Sequence, residues 1–168
     1  MCLRNDMFYE FLNATFNDIS LAENYLKKDP KLIYATNGIG ETVLHYLSIE
    51  NMLKEVKWIY NKGANINTTN NFGDTPLKEA ASLGLLDICK FLVEMGADHK
   101  IKNDNGDTAL SDAAINNQIK VVHFLLDLIQ PNEKLSNYFD SITYDILLDK
   151  NSPCATAIAE KGLKPTLL

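Results

Sequence analysis

Apolar residues in this chain fall in short clusters of helical spacing, separated by polar turns, and the clusters recur. The run LDICKFLV at 86–93 has the internal face of a buried helix. Its Phe91-Leu92 pair has counterparts about 33 residues away on either side, Trp58-Ile59 and Phe124-Leu125. Leu44, Leu77 and Leu110 keep the same interval, as do Gly40, Gly73 and Gly106 and then Thr42, Thr75 and Thr108. Gly63-Ala64-Asn65 matches Gly96-Ala97-Asp98. Several independent columns in one register predict a tandem array of small helical units.

Each column has a physical role. A Thr at a helix entrance can accept from backbone N–H groups that have no intrahelical partner. Pro76, next in line, loses only an N–H that the first turn does not use, so Asp74-Thr75-Pro76 reads as a helix start. Small Ala80-Ala81 and Ala113-Ala114 let neighbouring helices approach closely. Gly96 suits a left-handed helix exit ahead of Ala97.

These residues resemble the ankyrin repeat, whose helix-opening T-P-L-H-x-A pattern stands here as Thr42-Val43-Leu44-His45, Thr75-Pro76-Leu77-Lys78-Glu79-Ala80 and Thr108-Ala109-Leu110. The unit from Asn70 to Lys102 is the clearest match. The first unit has Val43 in place of Pro and Leu47 in place of Ala; the third has Ala109 and Ser111 and carries Ile129 where a Gly is usual. The resemblance implies an all-α, ankyrin-repeat α-solenoid of helix-turn-helix units joined by short turns or β-hairpin-like loops. Residues 1–168 are expected to form one such domain, with repeats at 37–69, 70–102 and 103–130. Subtracting one period places Phe11, Ala14, Tyr25 and Leu26 beneath Leu44, Leu47, Trp58 and Ile59, which predicts an N-terminal capping unit at 6–36. The register fails after about Leu128. Leu135, Phe139, Ile142 and Ile146 keep helical spacing and SPCATAIAEKG looks like a degenerate first helix, so 131–168 is expected to be a divergent helical C-cap.

Composition narrows the function. The hydrophobic content of 46% with 23% charged residues is that of a folded chain. The start, MCLRNDMFYE, does not read as a secretory leader, and no apolar stretch reaches the roughly 18 residues a membrane span needs, so a cytoplasmic protein without membrane attachment is expected. Cys2, Cys89 and Cys154 are odd in number and far apart, which fits neither a disulfide framework nor a zinc knuckle. A net charge of −6 opposes direct nucleic-acid binding and favours a basic protein partner.

No residue pattern points to catalysis, and no catalytic residue, metal or cofactor is expected. His45, His99 and His123 occupy different columns; His45, at the family's His position, is read as a hydrogen-bonded link between neighbouring loops. Gly38-Ile39-Gly40 lacks the third Gly of a phosphate-binding loop, Val43 standing there, and no strand precedes it.

In ankyrin arrays the turns before the first helices and the exposed faces of those helices line a concave binding surface. The resemblance carries this role to Ile39, Glu41, Phe72, Asp74, Asp104 and Asp107 on the turns and to Glu50, Glu79, Leu83, Asp112 and Ile115 on the helices. Glu41, Asp74 and Asp107 form one acidic column; Glu79 and Asp112 form a shorter one. Two readings stay open: acids favoured at exposed helix starts by the helix dipole, or an acidic groove that captures a basic partner, with Phe72 as apolar anchor. Phe72 can equally fold back on a neighbouring turn. The expected function is a non-catalytic protein-binding module, monomeric before complex formation. It would act as a stoichiometric inhibitor or an immunity protein that covers a basic partner such as a nuclease-type toxin. The alternatives are an adaptor with a second surface around Tyr138, Phe139 and Tyr144, and an enzyme with a dispersed site.

Overall fold

The computed structural model describes residues 2–130 and 153–160. Expectations about Leu135, Tyr138, Phe139, Ile142, Tyr144 and Ile146 therefore lie outside the described residues. Among the described residues the regular structure is helical: α1 (Cys2–Asn17), α2 (Ile19–Lys28), a 3-10 turn (Pro30–Tyr34), α3 (Val43–Ile49), α4 (Leu53–Asn61), α5 (Pro76–Ser82), α6 (Leu86–Glu94), α7 (Ala109–Ile115), α8 (Ile119–Leu126) and α9 (Pro153–Glu160). The one β-like contact described is an isolated bridge between Thr36 and Thr42.

The helix starts follow the reading of the sequence. Thr75 Oγ1 accepts from the Lys78 N–H at 3.2 Å with Pro76 as first helical residue, and Thr108 Oγ1 accepts from the Ser111 N–H at 3.3 Å. The short helices end where the backbone turns left-handed at Asn51, Gly84 and Asn117, again one period apart. At Gly84 the left-handed backbone favours glycine, and a Cβ there would stand 2.2 Å from Gln118 Oε1, displacing a side chain whose Nε2 donates to the Ser82 carbonyl.

Packing runs along the array. α5 lies between α3 and α7, with Leu44, Leu77 and Leu110 fully buried, and Ala80, Ala81, Ala113 and Ala114 set the close approach. The second helices α4, α6 and α8 back this layer with Val56, Ile59, Ile88, Cys89, Leu92, Val121, Val122 and Leu125. In the aromatic-aliphatic pairs the aliphatic member is buried, whereas Trp58, Phe91 and Phe124 are only half-buried and lie against the core. Burial drives the Cys89 thiol up to about 12, so it behaves as a small apolar side chain. At one end α1 continues the core with Phe8, Phe11 and Ala14; at the other α9 packs on α8 through buried Cys154, Ala157 and Ile158.

Among the described residues no helix is long and apolar enough to cross a membrane.

Candidate functional site

The turns ahead of α3, α5 and α7 are three copies of one device. Asn37 Oδ1 accepts from the N–H groups of Ile39 and Glu41 at 3.0 and 2.9 Å, Asn70 Oδ1 from Phe72 and Asp74 at 2.9 and 3.0 Å, and Asn103 Oδ1 from Asn105 and Asp107 at 3.0 and 2.9 Å. Gly40, Gly73 and Gly106 supply the positive φ that closes each turn. The turns also bond to one another. The Asn71 N–H donates to the Ile39 carbonyl at 2.9 Å, and the Asp104 N–H donates to the Phe72 carbonyl at 3.0 Å. A Cβ on Gly40 would fall 2.4 Å from Asn71 Oδ1, so this stacking requires the glycine.

Asn37, Asn70 and Asn103 are the residues the sequence reading left out, although they keep the 33-residue period. Their amide groups reach the acids: Asn37 Nδ2 donates to Glu41 at 2.9 Å, Asn70 Nδ2 to Glu79 at 3.3 Å, and Asn103 Nδ2 to Asp74 of the preceding turn at 2.9 Å.

A second set of bonds is made by the column His45, Lys78 and Ser111, and the first two of these residues join successive units. Buried His45 accepts the Thr42 N–H at Nδ1 (3.1 Å), which leaves Nε2 as the protonated nitrogen, donating to the Asp74 carbonyl at 3.1 Å. This is the loop-to-loop link expected of it. Burial lowers its pKa and keeps the ring neutral. Lys78 is only 6% exposed, and its ammonium sits between Asp74 (2.8 Å) and Asp112 of the next unit. Burial alone would lower its pKa, but the hydrogen bonds it donates to Asp112 and Asp74 outweigh burial and hold the charge. Ser111 stays local, accepting the Thr108 N–H at 2.7 Å.

The acidic columns are thus tied rather than free. Asp74 has both Lys78 and Asn103, and Glu41 has Asn37. Asp112 faces Lys78, yet burial raises its carboxyl above the usual range. Glu79 differs from the rest. Its Oε2 is buried with no hydrogen-bond partner, and burial, followed by the charges of Glu41 and Asp74, pushes the carboxyl up to about 8. Glu79, Asp74 and Asp112 meet with Ile49, Lys78, Ser82 and Leu83 around an open groove of about 250 Å³. Glu41 and Asp107 stand within electrostatic reach of that groove, raising Glu79 and Asp112 respectively.

The remaining residues of the expected surface are spread over it. Phe72 is 55% exposed at its turn tip, with Ile39 exposed on the preceding turn. Leu83 and Ile115 are exposed at the ends of α5 and α7, and Glu50 and Asp104 are exposed as well. Among the described residues no cluster of three His, Cys, Asp or Glu side chains is placed to hold a metal ion.

A family model of ankyrin repeats in three copies matches residues 11–103 and again 44–135. The chain belongs to the ankyrin-repeat family. No curated protein matches it. Ankyrin repeats are protein–protein interaction modules, and the turns and first helices of this array carry both its charged groove and its exposed apolar tips.

Proposed function

We propose that this ankyrin array is a non-catalytic module that covers a basic surface of another protein and acts as its stoichiometric inhibitor, in the manner of an immunity protein that neutralises a nuclease-type toxin. The proposed module comprises a capping unit at 6–36, repeats at 37–69, 70–102 and 103–130, and a C-terminal cap at 131–168. What supports it is one arrangement: Glu41, Asp74, Glu79, Asp107 and Asp112 gathered on the face that also exposes Ile39, Phe72, Leu83 and Ile115. Glu79, its carboxyl pushed up to about 8, adds little charge at neutral pH and Lys78 offsets one of the other four, and the face stays negative. Exposed Glu50 and Asp104 extend the field toward its edges. A face of this kind steers a cationic partner, while the apolar tips exclude water from the contact. Enzymes that act on phosphate backbones carry the complementary basic surface, and covering that surface removes their activity.

The test is affinity capture from native lysate at low and moderate salt, comparing wild type with a Glu41→Lys/Asp107→Lys variant verified as folded by circular dichroism. Asp74 is left alone because its reversal would set a second cation against buried Lys78. The expected result is a basic protein held by wild type, lost by the variant, and inactive when complexed. Equal capture by both proteins removes the acidic face from the account. Full activity of the partner at saturation removes inhibition.

A further inference from the structure

We propose that Asn105 is a site of spontaneous deamidation, where the tip of the third turn converts its amide to an acid in water without an enzyme. Asn37 and Asn105 are the asparagines of this chain that precede a glycine. With no side chain on the following residue, its backbone nitrogen is unshielded for attack on the preceding carboxamide. A Cβ on Gly38 or on Gly106 would meet nothing within 4 Å, so access to that nitrogen does not separate the two sites. The carboxamides do.

Asn37 opens its turn and is held at both ends of its amide. Its Oδ1 accepts from the Ile39 and Glu41 N–H groups, and its Nδ2 donates to Glu41 Oε2 at 2.9 Å and to Tyr46 Oη at 3.0 Å. All four bonds must give way before Cγ can swing toward the Gly38 nitrogen. Asn105 instead stands at the tip, in the column of Ile39 and Phe72. It is exposed, and among the described residues its carboxamide makes no hydrogen bond. The Ile39 and Phe72 carbonyls each accept from the following turn, whereas no described N–H reaches the Asn105 carbonyl. One bond restrains the reacting atoms there: the Gly106 N–H donates to the Asn103 carbonyl at 2.9 Å, at an exposed turn where local opening is cheap.

The reaction balances with water alone. Solvent hydroxide takes the Gly106 amide proton, the nitrogen attacks Asn105 Cγ, and Nδ2 departs as ammonia with a proton from water, leaving a cyclic imide. Water then adds to one of the two imide carbonyls and breaks its bond to the Gly106 nitrogen. Opening at Cγ gives aspartate; opening at the backbone carbonyl carbon gives isoaspartate, in which the chain continues through Cγ. The sum is amide plus water to acid plus ammonia, with nothing oxidised or reduced. Either product sets a new carboxylate between Asp104 and Asp107. Isoaspartate also lengthens a turn in which Asn103 Oδ1 holds the Asn105 and Asp107 N–H groups, and the added methylene displaces the second of these bonds, next to the Thr108 cap of α7.

The test is to hold the full chain at mildly alkaline pH, folded or unfolded in guanidinium chloride, and to follow the amide-to-acid mass change at each asparagine by peptide mass spectrometry. In the folded protein Asn105 should convert at least about tenfold faster than Asn37. In the unfolded protein the two should convert at similar rates, which makes the fold the source of the difference. A protease that cleaves at aspartate should leave most of the converted site 105 uncut, because isoaspartate is the main product, and Asn105→Gln should remove the change while the fold, read by circular dichroism, stays the same. Equal rates at Asn37 and Asn105 in the folded chain overturn the proposal. So does an Asn105 that converts only when the chain is unfolded. Aspartate as the sole product means direct hydrolysis and overturns the route through the Gly106 nitrogen.

Discussion

Lys78 stands in the column that holds His45 one unit earlier and Ser111 one unit later, and its surroundings make the three unequal. A buried ammonium between two carboxylates is weak evidence for net stability, but removing one member leaves charges without a partner. Lys78→Met should therefore destabilise by about 3–5 kcal/mol in guanidinium chloride unfolding, and adding Asp112→Asn should restore part of the loss. A loss under about 1 kcal/mol would mean that the carboxylates find solvent instead. Glu79 gives the opposite sign. Its folded pKa, near 8, exceeds the ordinary value, so its contribution is fully present below about pH 4.5 and is lost as pH rises through 8. His45, lowered by burial, contributes above about pH 6.5 and loses that contribution as pH falls. Thermal melts should show stability declining from about pH 6.5 to 8, and Glu79→Gln should abolish the decline, with a higher Tm than wild type at the alkaline end and little difference near pH 5.

Each turn lives on one carboxamide. Asn70 is buried, and its Oδ1 satisfies two backbone N–H groups that Ala would leave without an acceptor. Asn70→Ala should cost about 1–3 kcal/mol by denaturant unfolding, and Asn70→Asp, which keeps the acceptor, should cost less near neutral pH. Gly73→Ala should be comparably harmful, because its Cβ would lie 2.9 Å from Asn103 Cα in a left-handed backbone. What the sequence makes legible at this scale depends on how local the physics is. The Gly, Thr and Leu columns close a turn, cap a helix and fill a core within each unit, so one period is enough to read them, although Gly40 and Gly73 also make room for the next turn. The Asn column has the same period, yet Asn is common in any turn and signals nothing until its bonds are drawn. Lys78 looks like an ordinary surface base, and its partner on α7 lies 34 residues away. The groove was out of reach for the same reason, since α3, α5 and α7 contribute to it together.

For the whole molecule, stability is a sum over neighbours, and the central unit, with a helix pair of the same pattern on either side, has the most to lose. α5 and α6 belong to that unit, with Leu77, Ile88 and Leu92 fully buried. Native-state hydrogen exchange should find their amides among the slowest, opening only with global unfolding, while α1 exchanges through smaller openings. Faster exchange in α5 than in α1 would contradict nearest-neighbour stacking as the source of stability. The unequal column at 45, 78 and 111 carries a consequence for how such a protein can be rebuilt. His45 asks its successor only for a backbone carbonyl, which every turn has. Lys78 asks for an acid on the next first helix, and Asp112 answers it; Ser111 asks for nothing beyond its own turn. Exchange of the second and third units would part Lys78 from Asp112 and set Ser111 before Glu79. Units that look interchangeable in outline are therefore spelled in one order, and a shuffled array would be a different, weaker word.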